Sequence, residues 1–279
     1  MNFLDLVLSL LYGVVQGITE WLPVSSTAHL MLLDWWAPAA VSEEVFQLFL
    51  VAVQLSSALA VLVLYFRRLC PIARWCRRED RADFLSLWGR MLVGCVPAAL
   101  VGFFLDDAVE AFFKSGGRGG AVIGTTLALY GIIFIAGERF FFKKQGKSSS
   151  LSSMPLRDAL AVGAFQILAL IPGTSRSGAT VLGAMLMGYD RGQAAEFSFF
   201  LALPVMLGAT LLRGVKLMAS GIVPSGDEVA FLMLGCVASF LVSLAALRFL
   251  VDFVSRRGFA VFGWYRLALS TLIFGALLL

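Results

Sequence analysis

Residues 45–66 run for twenty-two positions without one charged side chain. A helix needs roughly 20 mostly apolar residues to cross about 30 Å of hydrocarbon. Comparable runs occupy 88–105, 119–137, 197–212 with its flanks, 229–247 and 262–279. They predict six transmembrane helices in an all-α integral membrane protein. Arg90 and Arg266 sit near the ends of their runs, where each is expected to snorkel towards water. Composition agrees: 59% of the 279 residues are hydrophobic and 14% are charged, against about 45–50% and about 25% in soluble domains. Soluble enzymes, disordered tails and nucleic-acid binders are excluded. The net charge of +4 comes from arginines in short loops, so no nucleic-acid partner is expected. Cys70, Cys76, Cys95 and Cys236 show no ligand spacing, and Cys95 and Cys236 read as small hydrophobes. The start, Met1-Asn2-Phe3-Leu4-Asp5, lacks a basic n-region, so the first apolar stretch is expected to be retained.

Two apolar stretches, 2–36 and 157–188, are interrupted by polar residues with proline. The breaks are Glu20-Trp21-Leu22-Pro23-Val24-Ser25-Ser26-Thr27 and Pro172-Gly173-Thr174-Ser175-Arg176-Ser177. A broken helix in lipid leaves backbone groups unsatisfied unless protein or a wet cavity surrounds them. Both stretches therefore read as re-entrant helical hairpins with functional tips. Lys and Arg number 7, 5 and 3 in loops 67–90, 138–158 and 248–258, against 0, 2 and 2 in 37–44, 105–118 and 213–228. The first set belongs in the cytoplasm, which puts both termini outside. One hairpin plus three spans then occurs twice with opposite orientation, an inverted-topology repeat. The whole of 1–279 forms a single transmembrane domain, with 1–150 as repeat one and 151–279 as repeat two. Gln16 through Pro23-Val-Ser-Ser resembles Gln166 through Pro172-Gly-Thr-Ser, offset by one residue.

Gln16 and Glu20 lie four apart and share a helix face. A carboxylate at membrane depth marks a functional site by default. Among Ser25, Ser26 and Thr27, one hydroxyl is expected to cap the helix that follows. Ser26 and His29, at i and i+3, also fit a nucleophile and proton-transfer pair. In the second tip, Gly173 frees backbone N–H groups while Thr174, Ser175, Ser177 and Thr180 add hydroxyls ahead of a helix, which makes an anion site. Arg176 supplies a planar fork for phosphate, and Glu20 is its expected ion-pair partner. Glu196 reads either as a completion of the site or as an acid at a helix N-terminus. The basic run 67–83 reads as a topology determinant that contacts anionic membrane lipid.

An acid, an arginine fork and a glycine-hydroxyl loop facing one another suit phosphoryl transfer, which depends on positioning and charge stabilisation. Glu20 can hold a divalent cation, Mg2+ or Ca2+. A substrate reaching this depth should be a phosphate-bearing lipid. The single histidine excludes a phosphohistidine route that needs a second histidine as acid, and neither an Asp-Asp-x-x-Asp motif nor a Gly-Lys-Ser/Thr loop is present.

The run Gln16-Gly-Ile-Thr-Glu20-Trp-Leu-Pro-Val-Ser-Ser26-Thr-Ala-His29 resembles the first motif of the bacterial undecaprenyl-diphosphate phosphatases of the bacitracin-resistance type. Pro172-Gly-Thr-Ser-Arg176-Ser-Gly-Ala-Thr180 resembles their second motif. The likeness continues through Val53-Gln54-Leu-Ser-Ser, Val96-Pro97-Ala-Ala-Leu-Val-Gly and Ala195-Glu196-Phe-Ser-Phe-Phe-Leu-Ala-Leu-Pro204. It implies hydrolysis of undecaprenyl diphosphate to the monophosphate carrier lipid during cell-wall recycling, bacitracin resistance, and a place in the bacterial inner membrane. Gln16, Glu20, Ser26, His29, Ser175, Arg176 and Thr180 fall on the family's site. Position 16 is glutamine where many members carry glutamate, which weakens a two-carboxylate metal site; the family accepts either residue there, so activity is still expected. The attacking group is either Ser26 or a metal-bound water, with Ser26 favoured. The competing reading is a transporter or flippase of polyprenyl phosphates, and a third is a scaffold without chemistry. A homodimer is compatible with the sequence.

Overall fold

The computed structural model describes residues 3–39, 41–70, 78–114, 119–141 and 150–278; the side chains of 78–80, 106–114, 141 and 255 are not described. Cys76, Arg74, Arg77 and parts of the loops expected at 105–118 and 138–158 fall outside the described residues. Within them every regular element is helical. The helices are α1 (Phe3–Thr19), α2 (Ser26–Trp36), α3 (Glu43–Leu64), α4 (Phe66–Leu69), α5 (Arg78–Lys114), α6 (Gly119–Ala136), α7 (Leu156–Gln166), α8 (Arg176–Leu186), α9 (Arg191–Ala219), α10 (Gly226–Arg257) and α11 (Ala260–Leu278).

Six helices are long and apolar enough to cross a membrane: Glu43–Leu64, Arg81–Leu105, Gly119–Phe140, Arg191–Ala219, Gly226–Val254 and Ala260–Leu278. They match the six expected runs. Leu100, Phe103, Leu241 and Leu272 are exposed on them, as lipid-facing side chains must be. The helices outrun the apolar runs, however. Helix α5 starts at Arg78 and α10 continues to Arg257, inside stretches expected to be loops. Hydropathy marks where hydrocarbon ends, whereas arginine, leucine and alanine sustain a helix on either side of that boundary.

The interrupted stretches split as the prolines predict. Helix α1 ends at Thr19 and α2 begins at Ser26; α7 ends at Gln166, passes through a tight 3-10 turn over Ile167–Leu170, and α8 begins at Arg176. Helix α1 packs on α10, α7 on α5, α3 on both α9 and α10, and α6 on α11. Three of these crossings leave no space for side chains, among them α6 on α11, where a Cβ on Gly263 would strike the Gly131 carbonyl. A Cβ on Gly13 of α1 would collide with the Gly235 carbonyl of α10, and one on Gly163 of α7 with the Gly94 carbonyl of α5. Small residues allow such backbone approach between membrane helices.

Polar contacts tie the ends together in two groups. At one end Ser86 Oγ donates to Ser152 O at 2.8 Å, Phe259 N to Glu138 Oε1 at 2.7 Å, Arg191 Nε to Glu138 Oε1 at 3.0 Å, and Arg68 pairs with Glu196. At the other, Ser225 and Glu228 form a capping box on α10, and Glu228 Oε1 also accepts from Ser42 N at 2.9 Å and Ser42 Oγ at 2.6 Å. Glu196 is therefore not an acid in a first helical turn. The first turn of α9 belongs to Asp190, whose side chain accepts from Gln193 N at 2.9 Å. Glu196 lies a turn further in and holds Arg68, a member of the basic run.

Candidate active site

The two breaks meet around one carboxylate. Glu20 lies in the turn after α1 and is 5% exposed. Its Oε1 accepts from Arg176 Nη2 at 3.1 Å. Its Oε2 accepts from Gln16 Nε2 at 2.8 Å and from Ser26 Oγ at 2.8 Å. Gln16 comes from the last full turn of α1, Ser26 opens α2, and Arg176 opens α8. The ion pair expected from sequence is present, and Ser26 is added to it.

Both helix starts rest on an unusual backbone. Ser25 and Ser175 each have φ 71°, the only non-glycine left-handed residues among those described. That conformation costs of order 1–3 kcal/mol unless the surroundings hold it. Here the serine hydroxyls help: Ser25 Oγ accepts from Ala28 N at 3.3 Å and Ser175 Oγ from Gly178 N at 3.2 Å. Each cap satisfies an N–H that the first turn would otherwise leave bare. The next residue in each case, Ser26 or Arg176, is the one that reaches Glu20.

Other predicted residues support this contact from behind. Ser177 Oγ donates to the Glu20 carbonyl at 3.1 Å and lies 3.1 Å from Ser175 Oγ. Thr180 Oγ1 is 2.6 Å from Ser198 Oγ, while Ser198 O accepts from Arg176 Nη1 at 2.9 Å. The Arg176 guanidinium stands 6.0 Å from the ring of buried Trp21, and its Nε is buried without a hydrogen-bond partner. Gly173, at φ +88°, packs where a Cβ would strike Thr126, and Thr126 Oγ1 donates to Pro172 O at 2.8 Å. Thr174 is buried with an unpartnered hydroxyl, whereas Thr27 is exposed on the first turn of α2.

His29 does not meet Ser26. Its Nδ1 lies 2.7 Å from Ser25 O and its Nε2 lies 2.7 Å from the Tyr265 hydroxyl. Sequence spacing brought His29 one helical turn from Ser26, but the carbonyl at Ser25 takes the ring nitrogen first. Glu20 is the proton acceptor in contact with Ser26.

Arg266 corrects the expectation drawn from its place in the run. Its residue surface is fully buried, and it does not snorkel. Nη1 donates to Pro23 O at 3.1 Å; Nη2 donates to Gly173 O at 2.6 Å and Thr174 O at 2.7 Å. The guanidinium lies 5.2 Å from the Tyr130 ring and 5.8 Å from that of Phe134. It thus ties both broken stretches together through carbonyls that have no helical partner.

The charges do not balance. One carboxylate, Glu20, pairs with Arg176, while Arg266 is neutralised by no carboxylate in these contacts and donates to carbonyls of both breaks; two helix N-termini add further positive potential. A centre of this sign has the chemistry to accept an anion with several oxygens. Among the described residues no group of three or more His, Cys, Asp and Glu is placed to hold a metal ion. The donors present, the Glu20 carboxylate and the buried, unpartnered Gln16 Oε1, are hard oxygens. They fit a cation such as Mg2+, which takes one or two carboxylates and completes its shell with water and substrate phosphates.

The fold and this site define a polytopic helical membrane protein with a buried polar centre, Glu20 with Gln16, Ser26 and Arg176, built where two helices break. The model of the bacitracin resistance protein BacA family matches residues 9–272. The chain belongs to that family. It is 42% identical over 275 residues to an undecaprenyl-diphosphatase of Enterococcus faecalis, covering 99% of this chain and 98% of the relative. An undecaprenyl-diphosphatase of Lachnoclostridium phytofermentans is 42% identical over 279 residues, covering 100% and 99%. One from Lactiplantibacillus plantarum is 40% identical over 272 residues, covering 98% of each.

Proposed function

We propose that the protein is a membrane phosphatase that hydrolyses undecaprenyl diphosphate to undecaprenyl phosphate and inorganic phosphate, returning the carrier lipid to cell-wall synthesis and conferring bacitracin resistance. The observation that carries this is the Ser26–Glu20–Arg176 contact, a hydroxyl, a base and a phosphate-binding fork within hydrogen-bond reach inside an apolar bundle. The relatives named above carry a phosphatase name, and none a carrier's.

In the reaction Arg176 holds the terminal phosphate by its guanidinium, and the backbone around Gly173 and Ser175 adds donors. Glu20 Oε2 takes the Ser26 proton as Ser26 Oγ attacks the terminal phosphorus. A bond from Oγ to phosphorus forms, and the bond to the bridging oxygen breaks. The bridging oxygen leaves with the lipid as undecaprenyl phosphate. Water then attacks the phosphoserine as its bond from phosphorus to Oγ breaks; Glu20 returns its proton to Ser26 Oγ, one water proton leaves on inorganic phosphate and the other passes to solvent. Glu20 and Gln16 Oε1 are the residues that would hold a divalent cation, Mg2+ or Ca2+, whose charge offsets that of the diphosphate.

The inverted repeat is part of the same reading. Several pairings support it. Ser25 and Ser175 share φ 71°, 150 residues apart (175 − 25). Gln16 and Gln166 keep the same spacing, and so do Gly13 and Gly163. The contact of α1 with α10 has its counterpart in that of α7 with α5. Ser26 thereby corresponds to Arg176, so the two halves supply different chemistry at one position. Each broken pair enters and leaves on its own face as a re-entrant hairpin. The contacts that gather Ser86, Ser152, Glu138 and Phe259 at one end suit a cytoplasmic side in the inner membrane, with both termini outside.

Phosphate release from farnesyl diphosphate by the purified protein tests the reading. Release that depends on Mg2+ or Ca2+ and collapses in Arg176→Lys is expected; transport of the lipid without phosphate release would overturn it.

A further inference from the structure

Tyr265 is absent from every motif considered so far, yet it contacts the site's one histidine. Its hydroxyl lies 2.7 Å from His29 Nε2, and the two rings stack with centroids 5.6 Å apart and planes 6° from parallel. On the other side of the imidazole, Nδ1 is 2.7 Å from the Ser25 carbonyl. A carbonyl oxygen only accepts, so Nδ1 carries the proton; in the neutral ring Nε2 then accepts from the tyrosine hydroxyl. Tautomer and ring plane are thus set from both sides.

Tyr265 is also held in place. The next residue on α11, Arg266, is fully buried and donates to Pro23, Gly173 and Thr174, so this part of the helix cannot slide without releasing both breaks. The contacts run from Tyr265 through His29 to the carbonyl of Ser25, the left-handed cap directly before Ser26. We propose that Tyr265 is a positioning residue for the phosphatase reaction: it holds His29 as the Nδ1–H tautomer against the Ser25 carbonyl, which aims Ser26 Oγ at Glu20. This rests on the phosphatase reading above.

His29 is the only histidine in the chain, so protein labelled with nitrogen-15 histidine and purified on a histidine-free tag gives one imidazole spectrum. The wild type should show a protonated Nδ1 and a hydrogen-bonded, unprotonated Nε2 at neutral pH. Tyr265→Phe keeps the ring and removes the hydroxyl. It should shift the Nε2 resonance and mix the tautomers. With farnesyl diphosphate its kcat should fall about tenfold at unchanged KM, the low end of what losing an orienting partner costs a functional histidine. In a His29→Ala background the same substitution should cost nothing further, because the coupled pair is already broken. The proposal is overturned if Tyr265→Phe leaves the Nε2 resonance and kcat at wild-type values, or if it costs as much without His29 as with it. Should the wild type release no phosphate at all, the phosphatase reading fails, while the imidazole spectrum still decides whether Tyr265 sets the tautomer.

Discussion

Glu20 carries two duties on two oxygens: Oε1 holds Arg176 and Oε2 faces the Ser26 hydroxyl. Separating the duties is a matter of substitution. Glu20→Gln keeps the shape but neither accepts the Ser26 proton nor balances the guanidinium, so kcat should drop by about 10²–10³-fold, the range seen when one preorganised electrostatic group is lost. Arg176→Lys keeps the charge and loses the planar fork, and should fall by a similar factor in the same phosphate-release assay with folding intact. Gln16→Ala should cost less, because Arg176 and Ser26 still orient the carboxylate. Near wild-type kcat in Arg176→Lys would show that the fork does not clamp phosphate. Arg266 tests a different link. Arg266→Met leaves the carbonyls of Pro23, Gly173 and Thr174 without donors, and each unpaired buried group costs about 1–3 kcal/mol. The variant should melt well below the wild type, whereas Ser26→Ala should melt with it.

At the scale of elements, the six spans were legible because each apolar run is long enough to cross hydrocarbon, and the breaks because Pro23 and Pro172 sit amid hydroxyl residues. Glu20 and Arg176 were legible as partners because neither charge has a cheap place in an apolar stretch. What stayed hidden depends on direction and on distance along the chain. Arg266 looked like an end anchor, since its place in a run says nothing about which way its side chain points. Spacing also made Ser26 and His29 look like partners, while Ser25 O and Tyr265 claim both nitrogens. The close helix crossings were out of reach as well. Gly13 meets Gly235 and Gly163 meets Gly94, and nothing in either local sequence names its partner. These crossings predict that Gly163→Leu forces α7 off α5 and destabilises the protein by about 1–3 kcal/mol, the usual cost of overpacking, measured as a lower thermal midpoint in detergent. Gly208→Ala, inside α9 at a glycine with open space around it, is the control: no clash opposes it, and alanine's better helix propensity should hold the midpoint or raise it.

The whole molecule joins two halves whose broken helices supply unlike residues to one centre: Gln16, Glu20 and Ser26 from the first, Arg176, Ser177 and Thr180 from the second. The inverted orientation proposed above makes a direct prediction for cells. In a cysteine-free background, Val223→Cys should react with an impermeant thiol reagent added outside, and Ser153→Cys only after the membrane is opened. Labelling of Ser153→Cys from outside would refute the arrangement. The central claim is chemical, that Ser26 takes the terminal phosphate with Glu20 as base while Arg176 holds it. Rapid quench of a single turnover, using polyprenyl diphosphate radiolabelled in its terminal phosphate, tests this most directly. The account predicts label that appears first on a peptide containing Ser26 and then as inorganic phosphate, with neither signal in Ser26→Ala. Release of labelled phosphate by Ser26→Ala at a substantial fraction of the wild-type rate would contradict it and make water the attacking group.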